Sequence, residues 1–373
     1  MNIEAMNVDK FKKYKFIHWL HTDGGVGGQE RFTMFIHGKM LEFGLDSELV
    51  FTDGPGRVEY ARRVLKNKDI VTKEMSIGEM LRYIRKQNAD YILHYSNTAM
   101  PYIMWSKLLH PRGIHHRYFG HGFSNKRDPW HGFIYSFIDK YFFPTKLTLE
   151  RGYRNLFKPA KKKIFQYFGV EIPQRKKDPS QFRASGKTVI TSLSRLDPGK
   201  GLLEFVNAFV TYFKSNPSAK SEFDIQIYGH ANPTHPEDVK LEQDLKDIIA
   251  ANNLQGIVRL MGHTDRPMDV LLESDFLIFA SPDEYYGIAI LEALATGVPP
   301  IAVPTGSFVE LNSTDYGFFI DLYNPEQFKK DIEKIKSLSK EEYKKLSINS
   351  RKVAEEKFDI NKTTLEYLEN IVR

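Results

Sequence analysis

Twice along its 373 residues this chain alternates short runs rich in β-branched and aromatic residues with longer runs of helical period, and that alternation restricts the fold more than any single motif does. The first round predicts strands over 15–20, 47–52, 90–94, 114–119 and 164–168, with helices over 30–43, 57–67 and 100–109. Within the first helix Phe32, Phe35, Ile36 and Met40 recur on one face, and Gly44 follows as its C-terminal stop. A polar, basic, proline-bearing stretch, EIPQRKKDPSQFRASGK, then breaks the pattern, and its 173–184 portion reads as a linker. The alternation restarts with strands over 188–193, 224–228, 258–261 and 276–279 and helices over 201–213 and 238–252. The expected fold class is therefore α/β, with two doubly wound parallel sheets in domains at 1–172 and 185–357. Right-handed crossovers would direct the C-terminal ends of both sets of strands toward a central cleft.

Composition supports two cores and removes several chemistries. A chain of this length with 41% hydrophobic residues exceeds what one core usually supports. The absence of cysteine excludes disulfides, thiolate nucleophiles and Cys-ligated metals. The polar, basic opening MNIEAMNVDKFKKYK does not read as a secretory signal, and no run approaches eighteen unbroken apolar residues. The expectation is a cytoplasmic protein. Residues 1–172 carry 28 Lys and Arg against 17 Asp and Glu, so the first half is basic and the second mildly acidic. Clusters such as Lys12, Lys13 and Lys15 or Lys161 to Lys163 suit an anionic acceptor or the inner face of an anionic membrane, which makes a peripheral location part of the expectation. Trp130, Phe133 and Phe137 are spaced to form one stripe, facing either lipid or core. Neither aromatic-basic interleaving nor zinc-finger spacing occurs, so nucleic acid is not an expected partner. Oligomeric state is not legible.

Four motifs carry chemistry. In EYYGIAILEALATG, Glu284 and Glu292 flank Gly287, so one acid falls on a loop and the other inside the following helix. Gly287, Ile288 and Ala289 would open that helix with bare N–H groups, which attract phosphate. Glu292 lies in an almost wholly apolar stretch, and a buried carboxylate requires donors. Together they suit a ligand with an anionic middle and hydroxyl-rich ends, as in a nucleotide sugar. In SLSRLDPGKGLLEF, Arg195 follows a strand and Lys200 precedes a helix, forming a diphosphate clamp or, alternatively, a surface pair of Arg195 with Asp197. GGVGGQER, 24–31, is a glycine-rich turn that fails as a dinucleotide fingerprint at Glu30, although Asp53 could imitate the ribose acid of such proteins. HHRYFGHG, 115–122, places His121 between two glycines after a strand, where an imidazole can exchange protons near neutral pH. No further ligand cluster stands nearby and no Asp-x-Asp pair is present, so a metal is not expected.

In this order, Arg195 with Lys200, the Glu284 and Glu292 pair, the 24–31 loop and His121 resemble a retaining glycosyltransferase of family 4, within the group 1 glycosyltransferases of the GT-B fold. The resemblance spans nearly the whole chain and is strongest over 189–301. It implies two Rossmann-like domains, the second holding the nucleotide-sugar donor and the first the acceptor, with a final helix over 358–373 completing the first. It implies that Arg195 and Lys200 bind the diphosphate, Glu292 the ribose, and Glu284 the transferred sugar. By the same likeness Gly27, Gly28, Gly287, Ile288 and Ala289 lie against the donor, His121 lies near the reacting carbon, and Gly262, His263 and Thr264 lie beside the base. Tyr286 stands where the family has phenylalanine and Ser194 where it has glycine. The implied activity is metal-independent transfer of a hexose from a UDP-sugar, or a GDP-sugar, to a glycan or lipid-linked acceptor in cell-surface polysaccharide or glycoconjugate synthesis, with no cofactor. The alternatives are a non-catalytic sugar-nucleotide-binding subunit or regulator and a GT-B epimerase.

Overall fold

The structure is a computed structural model that describes residues 8–21, 28–52, 58–59, 61, 65, 72–87, 90–96, 100–109, 111, 113–118, 133, 136–153, 163–282, 286–304 and 308–373. The chain forms two compact units, 1–170 with 357–373, and 171–356.

The first unit holds a seven-stranded sheet in the order β3-β2-β1-β4-β5-β6-β7, parallel at every pairing. The strands are β1 (Lys15–His21), β2 (Asp46–Thr52), β3 (Thr72–Met75), β4 (Tyr91–Ser96), β5 (Ile114–Tyr118), β6 (Lys140–Phe143) and β7 (Lys163–Phe165). Helices α1 (Gly28–Glu42), α2 (Ile77–Arg85), α3 (Met100–Leu109) and α4 (Lys146–Tyr153) provide crossovers. Side chains alternate along each strand, so Ile17, Trp19, Leu93, Tyr141 and Phe143 pack with Met80 and Ile84 of α2 and Ile103 of α3. Leu20, Leu49 and Phe51 turn the other way, toward Met34 of α1. The last helix, Ile360–Val372, belongs to this unit and lies along α1, with Tyr367 against Phe142. It comes close because Gly169 has no side chain: a Cβ there would sit 2.1 Å from Thr363 Oγ1.

The second unit holds a six-stranded parallel sheet in the order β10-β9-β8-β11-β12-β13. Its strands are β8 (Thr188–Leu193), β9 (Phe223–Tyr228), β10 (Val258–Gly262), β11 (Phe276–Phe279), β12 (Pro300–Ala302) and β13 (Phe318–Phe319). Between them run α5 (Leu202–Ser215), α6 (Pro236–Ala251), α7 (Pro267–Glu273) and α8 (Ile288–Thr296), and α9 (Pro325–Lys336) and α10 (Lys340–Val353) close the unit. β11 is buried on both faces, as its unbroken apolar FLIF requires.

The stretch 173–184, read above as a linker, is packed onto this second unit. Phe182 stacks on Tyr343 at 4.1 Å, and Lys177, almost wholly buried, reaches Asp275 Oδ1 at 3.5 Å. Its proline and charges mimic a linker, but one aromatic and one lysine stem anchor it.

Candidate functional site

Of the residues proposed from the sequence, Arg195, Lys200, Gly262, His263, Thr264, Gly287, Ile288, Ala289 and Glu292 follow strands β8, β10 and β11 of the second unit, on the side where ligands sit in open parallel sheets. After β8, the Ser194 N–H donates to the Tyr228 carbonyl at 3.1 Å and the Leu196 N–H to the His230 carbonyl at 3.2 Å. The Arg195 side chain is half exposed and pairs with Asp197 Oδ2 at 2.7 Å. Asp197 also caps the short 3-10 turn Pro198–Lys200, accepting from the Gly199 N–H at 2.8 Å. The surface pair considered as an alternative is thus present, and it leaves the guanidinium beside the turn that carries Lys200.

That turn is seated on the end of β11. Ser281 Oγ donates to the Gly199 carbonyl at 2.9 Å, and a Cβ on Gly201 would lie 2.2 Å from the Ala280 carbonyl oxygen. Gly201, at φ 67°, is also the N-cap of α5, a left-handed position that glycine occupies without strain. After β9, Gly229 donates its N–H to the Gly262 carbonyl at 2.8 Å, and its Cα presses on the Ser194 carbonyl so closely that a Cβ would fall 1.9 Å from that oxygen. Gly262, at φ 74°, ends β10. His263 meets Asp265 Oδ1 through Nε2 at 3.0 Å and the His230 ring edge-on at 5.2 Å, and Thr264 Oγ1 accepts from the Arg266 N–H.

Helix α8 leaves the same end of β11. Gly287 is its N-cap, and among the described residues no side chain caps its first N–H groups, which Ile288 and Ala289 contribute. Glu292 is buried within this helix at 2% exposure, as its apolar surroundings predicted, and Tyr286 is nearly buried beside its start. Gly297, at φ 79°, closes the helix. Bare N–H groups at a helix start favour an anion.

Glu284, His121 and Gly27 lie outside the described residues, as do Asp53 and Trp130. Gly28 is the first residue of α1, and Arg31 in its first turn lies over the Phe35 ring at 5.7 Å. His115, part of the histidine-rich motif, is a core residue of β5 whose Nε2 meets the Tyr91 hydroxyl at 3.1 Å. Among the described residues His235, Glu237 and Asp238 bring donor atoms within 4.8 Å of one another at the first turn of α6. There Asp238 accepts from the Asn232 N–H at 3.3 Å, so its carboxylate holds the loop that leads into α6. Sequence reasoning missed Gly229, His230 and Ser281. The signal for the first two was a glycine immediately after the alternating FDIQIY run; Ser281 has no comparable mark.

Residues 173–353 match the family model for glycosyl transferases group 1. Over 131 residues the chain is 30% identical to the GtfA subunit of the UDP-N-acetylglucosamine–peptide N-acetylglucosaminyltransferase of Streptococcus agalactiae, covering 34% of this chain and 23% of that protein. Over 167 residues it is 30% identical to the poly(glycerol-phosphate) alpha-glucosyltransferase of Bacillus subtilis, covering 44% of this chain and 23% of that protein. The matched stretches span about a quarter of these two relatives. Among solved structures, Anabaena HepE in complex with UDP and glucose superposes with a TM-score of 0.79 over 96% of this chain and 99% of that one, at 14% identity. The likeness shows the fold, which is α/β of the GT-B class.

Proposed function

We propose that this chain is a retaining glycosyltransferase of family 4, moving a hexose from a nucleotide sugar, a UDP-sugar before a GDP-sugar, to a hydroxyl of a glycan or lipid-linked acceptor. The observation that carries this reading is the seating of the 197–201 turn on Ala280 and Ser281, which sets Lys200 at the strand end from which the uncapped helix α8 departs. The match of 173–353 to group 1 glycosyl transferases supports it, because all of these groups fall inside that stretch. In this reading Arg195 and Lys200 hold the diphosphate, the N–H groups after Gly287 assist them, and Glu292 takes the ribose hydroxyls. Gly262, His263 and Thr264 border the base. Glu284 and Gly27 contact the transferred sugar, Gly28 lies beside them, and His121 stands near the reacting carbon. The two relatives, named for a peptide and for poly(glycerol-phosphate), differ in acceptor, so the acceptor assignment rests on the basic first half alone.

The reaction needs no protein nucleophile. The acceptor oxygen approaches the anomeric carbon from the leaving-group side, the bond from that carbon to the diphosphate oxygen breaks, and the departing oxygen takes the acceptor proton. Negative charge grows on the diphosphate as the bond breaks, so two fixed cations act more strongly in the transition state than in the ground state. No step calls on a metal.

The test is nucleotide release from a panel of UDP- and GDP-sugars with and without added acceptors. Release that depends on an acceptor supports transfer. Saturable binding without turnover in any combination points instead to a sugar-nucleotide-binding regulator, and no binding at all removes the donor site.

A further inference from the structure

Helix α3 turns an apolar face to solvent. Ile103 and Ser106 are fully buried against the sheet, yet on the opposite side Trp105, Leu108 and Leu109 are 52%, 55% and 39% exposed. Their i, i+3, i+4 spacing aligns them in one stripe. A crossover helix of a doubly wound sheet normally presents charge and amide on this side. Isolated exposed leucines need no explanation, but a contiguous stripe led by tryptophan marks a contact surface.

The neighbouring helix supplies the opposite chemistry. α2 packs beside α3, buries Met80 and Ile84, and exposes Arg82, Arg85 and Lys86. Both helices are crossovers that run antiparallel to the strands, so both finish at the N-terminal end of the sheet. Arg85 and Lys86 therefore stand at the same end as Leu108 and Leu109. Of the nearby acids, Glu79 closes a capping box with Ser76 and Asp139 holds Lys107 at 2.6 Å, while Asp90, just before β4, is exposed, so the cations outnumber it at this end.

We propose that this α2–α3 face docks the protein on an anionic lipid bilayer, with Trp105, Leu108 and Leu109 entering the headgroup boundary and Arg82, Arg85 and Lys86 meeting lipid phosphates. An apolar stripe beside a row of cations is what an interfacial helix pair offers to such a surface. A second copy of this chain fits poorly, because a two-fold contact on the stripe would draw the two sets of cations together. A protein partner would need a groove for a stripe that stands out from the helix, whereas a bilayer receives it without one. The surface shares no residue with the donor site of the second unit, so the inference stands or falls independently of the transferase reading.

The test uses the full chain with vesicles of phosphatidylcholine, with and without phosphatidylglycerol, in a flotation assay. Flotation with the anionic vesicles alone is expected. Trp105→Ser, Leu108→Ser and Leu109→Ser together should weaken it on the order of a hundredfold. Each charge removed by Arg82→Gln, Arg85→Gln or Lys86→Gln should weaken it about fivefold, and added salt should do the same. Brominated lipid should quench fluorescence in the parent protein but not in Trp105→Phe. These variants are on the surface, and unchanged far-ultraviolet dichroism shows that they fold. Flotation that the apolar triple variant leaves intact overturns the proposal. So does absence of flotation, or a concentration-dependent dimer that the triple variant abolishes.

Discussion

Lys200 ends a three-residue turn and sits next to a glycine whose conformation no other residue adopts comfortably, so two substitutions one position apart separate chemistry from scaffold. In the proposed reaction Lys200→Ala removes charge from the place where the leaving group develops it, and kcat should fall roughly a hundredfold with a smaller change in donor KM. Steady-state nucleotide release measures this, and near-normal turnover would detach Lys200 from the leaving group. Gly201→Ala instead forces a left-handed φ of 67° on a residue whose Cβ would meet the Ala280 carbonyl oxygen at 2.2 Å. It should cost about 1–3 kcal/mol of stability. Gly199→Ala is the contrast, since the nearest atom to its Cβ would be Asp197 Oδ1 at 3.2 Å, and it should stay within about 0.5 kcal/mol. Thermal unfolding of the pair decides, and equal destabilisation would mean that the turn is not held by its contact with β11. At this scale the sequence was informative because cations, glycines and buried acids have few uses at strand ends. It could not show Asp197 both pairing with Arg195 and capping the turn, since one carboxylate with two roles leaves no distinct pattern.

Elements were legible where side-chain period and end signals agreed. Helix α1 and strand β8 lie where their patterns placed them, allowing for a residue or two at their ends. Strand β3 and helix α2 went unassigned: Thr72–Met75 reads TKEM and lacks an apolar run, although Ser76 and Glu79 spell a capping box. The packed 173–184 stretch was missed for a related reason, because its two anchors are separated by charge and proline. Burial holds the Lys177 ammonium below the usual lysine range despite its pairing with Asp275, and pushes the Asp275 carboxyl up. Both directions say that desolvation outweighs attraction, so the pair fixes position at an energetic cost. Lys177→Met alone strands a buried carboxylate and should destabilise the second unit by about 3–5 kcal/mol. Adding Asp275→Asn should restore at least half of that loss. Chemical denaturation of the single and double variants checks the coupling, and strictly additive losses would deny it.

Across the whole chain, positive charge and histidine are concentrated in the first unit, and no motif there foretells how the histidines pack. His18 on β1, His94 on β4 and His37 on α1 are all buried, with rings 5.3 Å apart for His18 and His94 and 5.8 Å for His18 and His37. Seventy-six residues separate His18 from His94, and only the parallel pairing of β1 with β4 brings them together. Their Nδ1 atoms lie 3.1 Å apart, so one ring donates to the other. His37 Nδ1 meets Ser47 Oγ at 2.8 Å, and Glu48, next along β2, is taken up by Lys15, Lys73 and Tyr83. Burial holds His18 well below the usual imidazole range, with His94 and His37 adding to it. Burial also lowers His37 to about 4, against a raising pull from Glu48. The unfolded chain therefore binds these protons first as pH falls. Their contribution is complete above about pH 6.5 and is lost as pH drops through the folded values, His37 alone accounting for about 3 kcal/mol by pH 4. All three tryptophans, Trp19, Trp105 and Trp130, fall in the first unit, so their fluorescence reports that unit while far-ultraviolet dichroism reports both. Denaturation between pH 7 and pH 4 should move the fluorescence transition to lower denaturant and leave a later dichroism phase from the second unit. His37→Gln should flatten the pH dependence of the fluorescence transition. Coincident transitions at every pH, or a slope that this variant does not change, would refute an acid-labile histidine core.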